Sequence, residues 1–193
     1  MPHIHTTNGE HDLTVTAYIA RIDGNEPKGL LHMHRKLNVL LPVGGHVELT
    51  ETPWQSITHE IEEESGYRLS QLNILQPNSR IKKMAKVVQH PYPLSIDTHA
   101  VTPTHFHTDL QYGFVAINLP ESSVKDGESK DLRWLSIKEI NELSNDEIYE
   151  NTREVYLFLL ETALKTWDAV PSEEFSLIFP DEYLSRLRLD QKF

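Results

Sequence analysis

The sequence contains no cysteine. That excludes disulfides, thiolate metal sites and a cysteine nucleophile, and it fits a reducing cytosol, the expected location. Long apolar runs are missing as well. No stretch approaches the roughly 18–20 apolar residues of a membrane helix, and the opening MPHIHTTNGE has neither the basic patch nor the apolar segment of a signal peptide. Positive charge is scarce: 18 basic residues face 29 acidic ones, for a formal net charge of -11. A surface of that sign repels nucleic-acid polymers and anionic membranes, so neither is an expected partner. It also repels a small phosphorylated ligand unless a cation neutralises the binding site. The 11 histidines add positive charge only below about pH 6.5.

What is present suits one folded domain. The chain has 193 residues, 38% of them hydrophobic, enough for a full core. No repeat, low-complexity segment or linker divides it. The expected organisation is a single domain over 1–170 and a tail over 171–193 packed on the domain or on a partner subunit, with a homodimer possible.

Leu13 to Ile22 reads as a strand rich in β-branched and aromatic residues, ended by the turn Asp23-Gly24-Asn25. Leu30 to His34 and Val39 to Leu41 read as further strands before Pro42 and Gly44-Gly45. A helix follows with both ends marked. Thr52 is the N-cap, Pro53 takes the first helical position, Gln55 completes a capping box and Gly66 stops the helix. Trp54, Ile57 and Ile61 form its buried stripe. Tyr67 to Leu75 is expected as a strand. The stretch 76–104, with His90-Pro91 and Tyr92-Pro93, is expected as a long loop or lid. Leu110 to Leu119 and Asp131 to Leu135 are expected strands, Ser136 starts a brief helix through Leu143, and Asn151 to Trp167 is a long packed helix. Strands interleaved with helices, without strict βαβ alternation, predict an α/β fold with a mixed sheet covered on both faces.

The most informative segment is His59-Glu60-Ile61-Glu62-Glu63-Glu64-Ser65-Gly66. Its carboxylates crowd the C-terminal end of a helix, where the dipole disfavours an acid by about 0.3–1 kcal/mol. Like charges at i,i+4, such as Glu60 and Glu64, add roughly 0.2–0.5 kcal/mol. The helix carries no lysine or arginine to compensate. At about 100° per residue, Glu60, Glu63 and Glu64 share one face while Glu62 points elsewhere. A divalent cation is the simplest neutraliser, and all-oxygen ligands select a hard ion, Mg²⁺ first and Mn²⁺ second. Taken alone, such a charge run also fits a solvated helix end.

The spacing around the cluster is more specific. Gly45 is followed by five residues and Glu51, then seven residues, then His59-Glu60-Ile61-Glu62-Glu63-Glu64-Ser65-Gly66-Tyr67. This resembles the Nudix box: Gly, five residues, Glu, seven residues, then Arg-Glu-apolar-any-Glu-Glu-any-Gly-apolar. Every fixed position agrees except the arginine, which is His59 here; Tyr67 is a mild variant of the last apolar position. Leu41-Pro42-Val43-Gly44-Gly45 and the strand order also look like the family, so the resemblance covers roughly residues 12–165.

The resemblance implies a Nudix-like α/β/α sandwich. It implies Mg²⁺ or Mn²⁺ held by Glu60, Glu63 and Glu64, with the Gly44 carbonyl as a further ligand and Glu51 behind them. It also implies hydrolysis of a nucleoside diphosphate linked to another moiety, by water attack on phosphorus. Glu63 and Glu128 are the candidate general bases. The family arginine holds a glutamate through a fixed bidentate charge. His59 is shorter and neutral above its pKa, with Glu63 as its expected partner. A Nudix-fold binding or regulatory module with little turnover is the alternative, favoured by His59. An isomerase of isoprenoid diphosphates is disfavoured by the absent cysteine.

His105, His107 and Asp109 share one face of a strand, where they would hold a transition metal, meet substrate, or line a pocket mouth. Substrate contacts are expected from Arg35, Gly45, His107 and Tyr112, although strand aromatics such as Tyr112 and Phe114 also suit a core. The pairs His3/His5 and His32/His34 are assigned no role.

Overall fold

The structure, a computed structural model, describes residues 11–179. In chain order its elements are β1 (His11–Arg21), β2 (Lys28–Met33), β3 (Leu40–Leu41), β4 (Val43–His46), α1 (Pro53–Ser65), β5 (Leu72–Gln76), β6 (Ser95–Thr102) and β7 (His105–Ala116). Then come β8 (Leu132–Ser136), α2 (Ile137–Glu142), α3 (Glu150–Phe158), a π-helical turn (Leu159–Ala163), α4 (Leu164–Thr166) and β9 (Asp168–Pro171). None of these helices is long and apolar enough to cross a membrane.

The strands join in one mixed sheet with the path β3-β2-β1-β7-β5-β9. At its centre β1 runs parallel to β7, from His11 opposite Phe106 to Arg21 opposite Ala116. The other edge of β1 is divided. Its end pairs with β2 through Ala20 and Arg21, and its start pairs with β4 from Thr14–His46 to Ala17–Val43.

Alternation along the strands sorts side chains between two cores. Val15, Ala17 and Ile19 of β1 face one way with Leu30, Tyr112, Phe114 and Ala116, and α1 covers them with Trp54, Ile57 and Ile61. Tyr18 and Ala20 face the other way with Leu31 and Val115, beneath Ile140, Tyr156, Leu159 and Leu160. A helical layer therefore lies on each face, the α/β/α sandwich expected.

Three elements depart from expectation. In place of the strand expected over 67–75, β5 starts only at Leu72 and runs to Gln76, and a 3₁₀ turn at Leu69–Gln71 precedes it. Part of the expected loop 76–104 is β6, which forms a hairpin with β7. Strand β7 begins at His105, five residues earlier than the expected Leu110, and stops at Ala116. The long helix expected at 151–167 is continuous from Glu150 to Thr166, with the π-helical turn in its middle.

Helix α1 has the expected boundaries. Thr52 Oγ1 accepts from Gln55 N–H while the Gln55 side chain accepts from Thr52 N–H, and Gly66 closes the helix at φ 75°. Thr52→Ala removes half of this exchange and is expected to cost about 1 kcal/mol, read as a lower midpoint in urea unfolding. After β9 the chain returns to α1. Trp54 Nε1 donates to Phe175 O at 3.1 Å, and Gln55 Nε2 donates to Leu177 O at 2.8 Å. Most of the tail, 180–193, lies outside the described residues, as do His3 and His5.

Candidate active site

Helix α1 and strand β4 build the acidic site together. Gly45 pairs with Val15 and faces α1, close enough that a Cβ there would meet Glu60 Oε1 at 2.1 Å. The backbone N–H of Gly44 donates to Glu64 Oε2 at 3.0 Å. The glycine strand thus brings a peptide edge against two carboxylates projecting from successive turns of the helix.

Glu60 and Glu64 are only 7% and 4% exposed, and Glu60 Oε2 is buried without a hydrogen-bond partner. Burial, followed by repulsion from Glu63, Glu128 and Glu51, pushes Glu60 up to about 7. Burial pushes Glu64 up to about 8, opposed by the Gly44 N–H and reinforced by Glu60, Glu128 and Glu63. Unpaired buried carboxylates are costly, and such groups are normally neutralised by protonation, a partner or a metal. The residues present therefore fit a hard cation.

Glu63 is half-buried and ion-pairs with Lys125 Nζ. Lys125 belongs to the loop before β8, and its own N–H donates to Glu63 O at 2.8 Å. The same loop docks through Ser122 N–H on Gly66 O at 3.3 Å. A Cβ on Gly66 would lie 2.1 Å from Ser122 O, so this glycine serves both the left-handed cap and the loop contact. Farther along, Arg35 Nη1 donates to Gly127 O at 2.7 Å. That contact holds the loop beside Glu128, whose charge acts on Glu60 and Glu64. Glu62 is exposed.

His59 does not pair with Glu63, as the sequence suggested. Its Nδ1 lies 2.7 Å from Glu51 Oε1, and Glu51 Oε2 accepts from Ser56 Oγ at 2.8 Å. The cation Lys125, remote in sequence, occupies Glu63 instead. Tyr112 is not placed to touch substrate: it is fully buried in the core against Trp54, with ring centroids 5.8 Å apart. His107 lies on the opposite face of β7, among other histidines.

Several residues escaped sequence reasoning. His32, given no role, is buried with Nε2 3.8 Å from Glu64 Oε2. Burial and then His34 push it down to about 4, so it is a neutral neighbour at physiological pH. Lys125, Asp12 and His46 had no local signal. Asp109, expected to share a ligand face with His105 and His107, is instead buried, with Oδ1 accepting from Thr14 Oγ1 at 2.9 Å and Oδ2 from Thr16 Oγ1 at 2.8 Å. These bonds commit it to the sheet.

The family model described as the NUDIX domain matches residues 12–159. Among solved structures, a hydrolase of the NUDIX family from Clostridium perfringens is 28% identical, with TM-score 0.62, over 78% of this chain and 96% of that one. The Ap4A hydrolase of C. elegans is 15% identical, with TM-score 0.56, over 76% and 93% of the two chains. The dihydroneopterin triphosphate pyrophosphohydrolase of E. coli is 14% identical, with TM-score 0.56, over 78% and 96%. No curated protein sequence matches the chain.

Proposed function

The chain belongs to the Nudix family, and from that premise we propose that it is a metal-dependent hydrolase of a diphosphate linkage in a small phosphorylated metabolite, a nucleoside diphosphate linked to another moiety. The observation that carries this reading is the pair of buried carboxylates at Glu60 and Glu64, with one oxygen of Glu60 left without a partner. A binding surface for a phosphorylated anion has no use for such a pair unless a cation stands between them.

Glu60, Glu63 and Glu64, with the Gly44 carbonyl, would hold Mg²⁺ or Mn²⁺. When bound, such an ion offsets charge on phosphate oxygens and lowers the pKa of an attacking water. The remaining roles belong to the chain. Gly45 leaves room for Glu60 beside the strand. Glu51, tied to Ser56 and His59, fixes the start of α1 and adds negative charge behind the ligands. Glu63 and Glu128 remain the two candidates to take a proton from water. Glu128 sits on a loop whose backbone is fastened at Glu63, Gly66 and Arg35, close enough for its charge to act on Glu60 and Glu64. Arg35 spends one donor on Gly127 and keeps others for phosphate.

The test is product release from a panel of ADP-ribose, nucleotide sugars, dinucleoside polyphosphates and nucleoside triphosphates. The expected result is turnover of at least one class with Mg²⁺ or Mn²⁺, abolished by a chelator. Tight binding without turnover across the panel would favour the binding-module alternative and overturn this reading.

The departure at His59 gives a second expected result. Its side chain is 63% exposed, so the longer arginine has room and would hold Glu51 with a permanent charge. His59→Arg is expected to keep or raise turnover, by no more than a few-fold, in steady-state assays. A folded variant without activity would contradict the positioning role given to Glu51.

A further inference from the structure

We infer that Asp12, His105 and His107 form a site for a transition-metal ion of the zinc class, with His46 beside it, separate from the glutamate cluster. All four side chains meet at one end of the sheet. Asp12 lies opposite His107 in the parallel β1–β7 ladder, and His46 lies opposite Thr14, the next residue of β1 on the same face. Strand alternation puts this group on the face turned away from Tyr112 and α1, whereas Gly45 and Glu60 meet on the α1 side.

The ligand atoms converge as a metal site requires. His105 Nε2 is 3.1 Å from His107 Nε2 and 3.3 Å from Asp12 Oδ2. His46 Nε2 is 3.5 Å from the same oxygen. One ligand atom each of Asp12, His105 and His107 lies within 4.8 Å of the others. Zinc takes nitrogen and oxygen ligands at roughly 2.0–2.2 Å in a tetrahedron, whose edges are then about 3.3–3.6 Å. The two edges at His105 already stand near that figure, and the Asp12–His107 edge, within 4.8 Å, shortens as the side chains close on an ion.

Hydrogen bonding alone serves the cluster poorly. The single proton that a neutral His105 carries on Nε2 cannot satisfy both His107 Nε2 and Asp12 Oδ2. Asp12 is 5% exposed, and its other oxygen, Oδ1, is buried without a partner. Burial, then His46, His99 and His105, push His107 down to about 4. A neutral imidazole has a lone pair to give, the form a metal needs. Mixed imidazole and carboxylate ligands select zinc-class ions over magnesium, so the two sites differ in chemistry as well as in place. Three protein ligands leave a fourth position for water or a substrate oxygen.

The test uses the full chain made without a histidine tag, stripped with chelator and titrated with Zn²⁺ or Co²⁺ alone. The expected result is one tightly held ion per chain that excess Mg²⁺ does not displace, with the visible absorption of tetrahedral Co²⁺. Glu60→Gln with Glu64→Gln should leave that binding intact. His105→Gln with His107→Gln should weaken it by more than the roughly 10–100-fold that loss of an outer-shell partner costs. Should the histidine variant fail to fold, the imidazole nitrogen resonances of His105 and His107 in the unmodified chain decide, since both must move on adding Zn²⁺. Binding lost in the glutamate variant, unmoved resonances, or no retained zinc would each overturn the site.

Discussion

Glu60→Gln combined with Glu64→Gln is expected to cut hydrolysis by roughly 10³-fold or more, while making the metal-free protein more stable at pH 8. The activity loss follows from removing the proposed cation ligands. Charge stabilisation by such a cation is worth several kcal/mol, at about 1.4 kcal/mol per factor of ten. The stability gain follows from burial. Glu60 is pushed up to about 7 and Glu64 to about 8, in each case first by desolvation. A carboxyl raised in this way keeps a proton in the folded state that the unfolded chain has already released. Stability therefore falls as pH climbs from the unfolded value through the folded one.

His32 and His107 act in the opposite direction. Burial lowers each to about 4, so the unfolded chain binds protons that the folded one refuses below about pH 6.5, and stability is lost as pH falls there. Between roughly pH 4.5 and 6.5 the two pairs oppose one another; above that window the last histidine protons leave the unfolded chain and the glutamates dominate. Metal-free wild type should lose on the order of 1–2 kcal/mol between pH 6.5 and 8, and the double variant, left with the histidines alone, should gain slightly. Urea unfolding in chelator at a series of pH values measures this, and Mg²⁺ or Mn²⁺ should restore wild type alone. A flat wild-type profile across that window, or undiminished turnover in the variant, would remove the basis of the proposed centre.

Such a cluster was legible because its signals are local. Thr52, Pro53, Gln55 and Gly66 fix both ends of α1 within the segment itself, and the register of Glu60, Glu63 and Glu64 follows from helix geometry. Its partners were not legible, because topology supplies them. Lys125 reaches Glu63 across 62 positions, and Asp109 accepts from Thr14 across 95. Strand β6 stayed hidden because it is mostly exposed and lacks alternating apolar residues, so its pairing with β7 leaves no periodic mark. The error at Tyr112 was avoidable. His107 and Tyr112 are an odd number of residues apart in one strand, so they face opposite ways and cannot both line one pocket. Leu110 and Phe114 share the Tyr112 face and mark it as core.

The adjacent glycines of β4 are expected to fail in different ways when replaced by alanine, because they meet different kinds of atom. A Cβ on Gly44 would lie 2.4 Å from the carbonyl oxygen of Val15 and 3.0 Å from Cα of Thr16. Both belong to the β1 backbone, which is held in the sheet by its ladder with β7. Relief requires the β1–β4 ladder to open, and Gly44→Ala should cost about 1–3 kcal/mol, the usual range for overpacking. A Cβ on Gly45 would instead meet Glu60 Oε1 at 2.1 Å and Cδ at 2.6 Å. These are the far end of a side chain that can rotate, at a cost on the order of 0.5–1.5 kcal/mol. Gly45→Ala should therefore unfold close to the wild-type midpoint. Its Glu60 carboxylate, however, is displaced by about an ångström or more, and misplacement on that scale costs on the order of 10²-fold in rate. Thermal melts and initial rates on both variants separate the two outcomes: stability lost at Gly44, turnover lost at Gly45 with the melt preserved. Wild-type turnover in Gly45→Ala would mean that the position of Glu60 against the strand has no part in the chemistry.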